Sequence, residues 1–372
     1  MSVRIPLSAP DIGPAELDAV AAVLRRPQLS LGPELESFER ELAQYHHLPD
    51  AVAVSSGTAG LHLSLLIQGI APGDEVIVPS FAFVAVANTV LQIGATPVFA
   101  EVDAATLNLD PASVERAVTV RTRAIIAVHT FGVPAPMTEL KDIARRFGLR
   151  LIEDACEALG AMCNGQPVGA LGDAAIFGFY PNKQITTGEG GAVLTRNPEH
   201  AHRLRSLRNQ GRSFQADWLD HSEPGYNYRL SEMNCALGRV QLRRLPEFLA
   251  LRRAAAERYD ELLQRVSGIE RPQLSWPGSE ISWFVYVVRL AAEVDRDRVQ
   301  AMMASNGVGT GRYFPPIHLQ PAWRSRGSAG NSPLHVTESI ARRTLALPFF
   351  NRITAEQQKE AVDVLCAAVQ NQ

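Results

Sequence analysis

The chain has 372 residues, 46% of them hydrophobic, and a formal net charge of −3. That length exceeds one small core and predicts a globular protein of two domains. The near-balanced charge, with no block of one sign, removes the electrostatic basis for broad nucleic-acid binding, so the expected partner is a small molecule.

At the amino end, "MSVRIPLSAPDIG" lacks an apolar run of signal-peptide length. No later stretch has an uninterrupted apolar run able to span a membrane, and the cytoplasm is the expected compartment. From Asp50 to about Thr195, short β-branched runs alternate with amphipathic segments: "AVAVSS", "EVIVPS", "TPVFAEV", "AIIAVHT", "LRLIED", "AAIFGF" and "GAVLT". Each ends in small or polar residues, the pattern of an α/β domain built on a largely parallel sheet. A helical region follows from Ser231 to Arg265, with an expected interruption near Pro246, and "WFVYVVRL" predicts a strand over Trp283–Leu290. "RDRVQAMMASNG" and "TAEQQKEAVDVLCAAV" add helices to a smaller α+β domain. The boundary is expected between Arg239 and Leu245, giving a large domain over 1–240 and a small one over 241–372. Cys156, Cys163, Cys235 and Cys366 form no C-x-x-C pair and no metal-ligand spacing, so reduced thiols are expected, without disulfide or metal.

Ligands of parallel sheets gather beyond the carboxyl ends of the strands, and the motifs with chemical potential fall there. "SSGTAG" runs from the first strand into a helix. Free backbone N–H groups at that helix start, beside Ser56, Gly57 and Thr58, suit a phosphate; an ordinary N-cap needs the same residue types. "LIEDACEALGA" ends the fifth strand with Glu153, Asp154 and Glu157, where a carboxylate either faces a cationic ring nitrogen or caps a helix. Lys183, in "FYPNKQITTGEGG", follows the sixth strand. The chain has only three lysines, and Lys141 and Lys359 lie in periodic helical patterns where arginine would serve as well. A lysine kept in a loop of an arginine-rich chain points to amine chemistry, which a guanidinium cannot perform. An amine, a carboxylate for a ring nitrogen and a phosphate cradle together meet the needs of pyridoxal 5′-phosphate (PLP).

"SSGTAGLHL", "PSFAFVAVANTVLQIGATPVF", "IEDACEALGA", "FYPNKQITTGEGGAVLT", "GYNYRLSEMNCALGRVQL" and "RYFPPIHLQPAW" resemble, in order and spacing, the sugar-nucleotide aminotransferases of the DegT/DnrJ/StrS family. The resemblance runs from "IPLSAPDIGPAELDAV" to "LALPFFNRITAEQQ", essentially the whole chain. It implies a fold-type I PLP-dependent transferase, aspartate aminotransferase-like. The large domain has a mixed, mostly parallel seven-stranded sheet, the C-terminal domain is small and α+β, and active sites lie at a homodimer interface. By matching positions, Lys183 forms the Schiff base and shuttles a proton, and Asp154 pairs with the ring nitrogen. Ser56, Gly57 and Thr58 hold phosphate, Phe83 stacks on the ring, Glu157 lies beside the cofactor, and Asn227 reaches the phosphate of the neighbouring subunit. A core aromatic is the alternative for Phe83. Tyr313 and His318 are substrate candidates by family position.

Two departures stand out. The family often reads F-S-F before the lysine, with the serine on phosphate; here Phe177, Gly178 and Phe179 lack that hydroxyl. Glu157 stands where many members carry Gln or His, and a carboxylate there should prefer to be protonated. The implied reaction moves an amino group from L-glutamate, through the amine form of the cofactor, to a keto sugar nucleotide. The motifs look most like the branch that aminates C4 of a 4-keto-6-deoxy sugar, including perosamine synthases, with amination at C3 as the alternative. A related sugar dehydratase carries histidine in place of the lysine, so Lys183 argues against it. A PLP-binding regulator without turnover is the alternative from another class.

Overall fold

Strands covered on both faces are mostly apolar, and this chain divides their apolar side chains between two clusters by alternation. In β1 (Asp50–Val54), Ala51 and Ala53 join one apolar cluster while Val52 and Val54 join another. The same division holds in β4 (Thr122–Val128), with Ile125 and Ala127 on one side and Ala124, Ile126 and Val128 on the other. The computed structural model describes residues 3–212, 220–324 and 333–370. With β2 (Glu75–Pro79), β3 (Thr96–Ala100), β5 (Arg150–Asp154), β6 (Ala174–Gly178) and β7 (Gly191–Thr195), these strands form one seven-stranded sheet. The order is β1-β7-β6-β5-β4-β2-β3, with β7 alone antiparallel to its neighbours. All seven predicted runs are strands. Between β5 and β6 the chain makes an excursion, a short hairpin of Met162–Cys163 against Gln166–Pro167.

The carboxyl ends of the parallel strands share one edge, so the segments following β1, β2, β4, β5 and β6 converge there. After β1, Ser56 caps helix α1 (Gly57–Ile67) by accepting a bond from Ala59 N at 3.0 Å.

The expected interruption near Pro246 does not occur. Helix α2 (Glu232–Leu263) continues through that proline for 32 residues, about 48 Å at 1.5 Å per residue. A proline in a helix interior costs about 3 kcal/mol, but α2 is packed on both sides of it. Cys235, Leu242, Leu245 and Phe248 belong to the large-sheet core; Ala255, Ala256, Tyr259 and Leu263 belong to a second core. That second core lies behind a sheet of β8 (Ile269–Glu270), β9 (Tyr286–Leu290) and β10 (Thr344–Leu347). It also includes Ile5, whose segment bridges Val308 in parallel. The proposed division after residue 240 thus falls inside one unbroken helix. Among the described residues no helix is long and apolar enough to cross a membrane.

Helix Pro33–Tyr45 starts at Gly32, which has no side chain to cap it. Glu232 supplies the cap from far along the chain, accepting Gly32 N at 3.0 Å, Glu34 N at 2.9 Å and Leu35 N at 3.0 Å. Removing the carboxylate leaves buried donors unpaired at a helix start, where bonds to charged groups are worth about 1.5–3 kcal/mol. Glu232→Ala is expected to lower the unfolding free energy by at least that amount, read as a lower denaturant midpoint at unchanged m-value. A midpoint within error of the native one in urea titration would show the cap to be energetically idle.

Candidate active site

The strand ends enclose a cavity of about 560 Å3 whose walls include Ser56, Gly57, Thr58, Phe83, Asp154, Glu157, Lys183 and Tyr313. Of the residues singled out in the sequence, these eight are brought together. Two others are not. Asn227 is exposed in a segment whose backbone bridges Asn209, away from the cavity walls. His318 is turned elsewhere: its Nδ1 lies 2.6 Å from Ser80 Oγ and its Nε2 3.5 Å from Glu338. Phe83 is 62% exposed, so the core-aromatic alternative is excluded.

At the start of α1, Ser56 serves Ala59 N through its hydroxyl and Gly60 N through its carbonyl. The amides of Gly57 and Thr58 have no partner among the described residues. The sequence posed cap and anion site as alternatives, and the geometry accommodates both. Cys156 explains the missing hydroxyl at Gly178. A Cβ on Gly178 would stand 3.2 Å from Cys156 Sγ, and one on Gly57 only 2.8 Å from it. The sulfur fills the space between two glycine backbones, which leaves little room for a serine.

Asp154 ends β5 and accepts a bond from Cys156 N at 3.1 Å. Its neighbour Glu153 points to the opposite face, as strand alternation requires. There it is fully buried, bonded to His129 Nε2 at 3.1 Å and to the amides of Gly169, Leu171 and Gly172. His129 Nδ1 accepts from Ala135 N, which puts the ring proton on Nε2, toward the carboxylate. Glu153 is a structural clasp for the loop that follows the hairpin.

Lys183 sits in a turn closed by its own N–H to Tyr180 O at 2.9 Å. Its side chain is 15% exposed; Nζ lies 3.6 Å from Glu157 Oε1 and 3.8 Å from the centroid of the Phe284 ring. The second oxygen of Glu157 accepts Phe131 N at 2.9 Å. Burial, more than any neighbour, pushes the Glu157 carboxyl above its usual range, and Asp154 adds repulsion; Lys183 and the Phe131 amide oppose the rise.

Sequence reasoning missed Cys156, Phe284 and Arg252. The buried Arg252 donates to Lys183 O at 3.0 Å, Trp283 O at 3.0 Å and Phe284 O at 3.1 Å. A signal was available. Arg252 lies four residues after Phe248 and seven before Tyr259, on the apolar face of α2.

The sequence profile of the DegT/DnrJ/EryC1/StrS aminotransferase family matches residues 10–366. The chain belongs to that family and is an aminotransferase of the fold-type I, PLP-dependent class. It is 41% identical to the erythromycin biosynthesis sensory transduction protein EryC1 of Saccharopolyspora erythraea, over 90% of each chain. It is 40% identical to the dTDP-3-amino-3,4,6-trideoxy-alpha-D-glucose transaminase of Streptomyces venezuelae, over 94% of this chain and 91% of that one. With the dTDP-4-dehydro-2,3,6-trideoxy-D-glucose 4-aminotransferase of Saccharopolyspora spinosa it shares 37% over 99% and 97%. The aminotransferase TlmJ of Streptoalloteichus hindustanus superposes with a TM-score of 0.93 at 34% identity, covering 99% of both chains. A Streptococcus pneumoniae chain described as a sugar aminotransferase, solved in a PMP form, gives 0.94 at 27% identity, covering 99% and 98%.

The raised carboxyl at Glu157 has a stability consequence of definite sign. Above the ordinary glutamate range the unfolded chain has released a proton that the folded chain retains, so stability falls as pH rises through that window. Glu157→Gln keeps an acceptor for Phe131 N but cannot ionise. In cofactor-free protein its melting temperature is expected to gain on the native one as pH rises from about 4.5 toward neutrality. Melting curves whose difference is flat or shrinks over that interval contradict the assignment.

Proposed function

We propose that the chain is a cytoplasmic homodimeric transaminase that carries an amino group from L-glutamate to C4 of a 4-keto-6-deoxy sugar nucleotide, with Lys183 as the reacting amine. The observation that carries this reading is Lys183 Nζ inside a cavity walled by Asp154, Glu157 and the start of α1, in a chain of the aminotransferase family. The cavity fits PLP: unpartnered amides at a helix start for phosphate, an exposed aromatic for the ring, a carboxylate at a strand end and an amine. When bound, the cofactor supplies an aldehyde for amines and a protonated ring that accepts electrons, cycling between its aldehyde and amine forms.

In this reading the Gly57 and Thr58 amides, with Ser56 nearby, bind the phosphate. Asp154 would keep the ring nitrogen protonated, Phe83 would stack on the ring, and Lys183 would take the proton from the substrate carbon onto Nζ and hold it there for return. Glu157 holds the free ammonium in place, and Tyr313 lines the substrate side. His318 is left out of the substrate assignment. Asn227, exposed on its own subunit, is given the role of completing the partner's phosphate pocket.

The names of the relatives favour a dTDP-linked sugar. They divide on position: the S. spinosa relative is named for C4, the S. venezuelae relative for a 3-amino product. Amination at C3 is therefore the second reading. Incubation with L-glutamate and dTDP-, UDP- and GDP-linked 3- and 4-keto sugars, with products identified by mass spectrometry and NMR, decides between them. An aminated C3 product alone would replace the C4 assignment, and no product with any keto sugar would leave cofactor binding without turnover.

Lys183→Arg keeps charge but loses the amine, and is expected to fall by at least the ~10²–10⁴-fold that a positioned acid–base contributes. Asp154→Asn is expected to bind cofactor yet lose most of its rate, because an amide cannot hold the ring protonated. Near-native turnover in Lys183→Arg would sink the mechanism, and in Asp154→Asn it would reduce that residue to its bond with Cys156 N. For the shared site, Lys183→Ala and an inactive Asn227 variant, unfolded and refolded together, are expected to recover about a quarter of native activity. Proven mixed dimers without recovery reject the sharing alone.

A further inference from the structure

We propose that Phe284 and Glu157 form a built seat for the free Lys183 ammonium, and that Arg252 is the positioning residue that fixes the seat relative to the lysine. The inference rests on Lys183 being the reacting amine and adds where that amine resides when it is not bound to cofactor or substrate.

The geometry forms a closed circuit. Arg252 donates to Phe284 O at 3.1 Å and to Lys183 O at 3.0 Å, tying the ring under the ammonium and the backbone above it to one guanidinium. Phe284 N donates to Phe131 O at 3.2 Å, and Phe131 N donates to Glu157 Oε2 at 2.9 Å. Glu157 Oε1 returns to Lys183 Nζ at 3.6 Å, while Nζ lies 3.8 Å from the Phe284 centroid. Gln184 braces the same loop, donating to Glu157 O at 2.6 Å and to Ser282 Oγ at 3.0 Å.

Two features of this circuit are costly, and neither serves packing alone. Arg252 is 2% exposed, and among the described residues no carboxylate lies within ion-pair distance; its guanidinium meets backbone carbonyls and, 5.7 Å away, the Phe349 ring, and burial lowers its pKa to about 10. A buried guanidinium without an anion is less favourable than an apolar side chain of its volume, so a positional use is the physical reason for its presence. Phe131 and Trp283 both adopt positive φ, 59° and 53°, in the two segments that meet at the seat. Gly132, at φ +90°, allows that meeting, since a Cβ there would stand 2.8 Å from Trp283 N. Strained backbone in two facing segments locates a site held by its surroundings.

A seat of this kind gives the amine two alternatives of defined geometry. Transfer of an amino group requires Lys183 to leave its covalent partner and return, and a free ammonium beside Asp154 and Glu157 could pair with either carboxylate. The ring face and Glu157 hold it on one side, away from Asp154, and a cation over a ring is stabilised most where water is excluded.

The test uses cofactor-free full-length protein and acetic anhydride at trace level near neutral pH, with acetylation of Lys183 read by mass spectrometry against Lys141 and Lys359, the chain's other lysines. Phe284→Leu removes the ring face and is expected to raise Lys183 acetylation by between about 2-fold and about 30-fold, the range a cation–π contact commands, with the two reference lysines unchanged. Arg252→Lys keeps the charge but cannot span carbonyls of two segments; it is expected to raise Lys183 acetylation and lower kcat with the KM for L-glutamate held. Native Lys183 labelling in folded Phe284→Leu overturns the seat. Native labelling and kcat in folded Arg252→Lys overturn the positioning role. If Arg252→Lys does not fold, Phe284→Leu still decides the seat, and Arg252→Gln or Arg252→Met takes the positioning test. Turnover retained by Lys183→Ala overturns the underlying reading instead, a result neither labelling arm can produce.

Discussion

Holding a primary amine and two carboxylates in one cavity while keeping them from collapsing into a neutral cluster is the constraint on which the rest of the structure depends. Opposite charges within a few ångströms in a dry site attract strongly, and desolvation penalises each of them. The chain solves this by giving each charge a fixed neutral partner. Asp154 has the Cys156 amide, Glu157 has the Phe131 amide, and the Lys183 ammonium has the face of Phe284. Backbone amides and ring faces do not titrate at working pH, so the one close charge pair, Lys183 Nζ with Glu157 Oε1 at 3.6 Å, is held in a fixed place.

That arrangement requires backbone segments from distant parts of the chain to meet with little tolerance. The parallel sheet brings the ends of β1, β5 and β6 to one edge, and its two covered faces keep those ends rigid. The wall carrying Phe284 follows Trp283 of the second core and packs in a separate cluster with Phe81, Phe131 and Phe314. α2, packed in both cores, sets that wall against the first together with the backbone bonds from Phe284 N to Phe131 O and from Ser282 N to Gly132 O, and Arg252 sits on α2 at the crossing. A break at Pro246 would remove one of the ties between the two, which gives a reason for the helix to tolerate a proline in its interior.

The fold was legible in the sequence because alternation and β-branched runs are local signals, and each of the seven strands is short and internally consistent. Lys183 was legible from composition, since arginine had taken nearly every other basic position. The failures share a different cause. Pro246 was weighed by local propensity, whereas two distant cores hold the helix. Arg252 acts through main-chain carbonyls 69, 31 and 32 residues away along the chain, and a carbonyl carries no residue-type signature. His318 shared a motif with Tyr313, but the turn between them sends one ring to the cavity and the other to Ser80 and Glu338. Sequence motifs record which residues occur together; they do not record which way each side chain leaves a turn.

The Cys156 position shows how such a site can change without losing its geometry. Two glycine backbones, at 57 and 178, approach the same sulfur, so the volume at this corner is shared among three residues and cannot be altered at one alone. A hydroxyl at 178 and a sulfur at 156 compete for one space. The absent serine is then the other half of a packing choice, and in the proposed site anion binding falls to the main-chain amides of Gly57 and Thr58. Close packing makes neighbouring positions depend on one another, so the departure at Gly178 is explained only with Cys156 beside it.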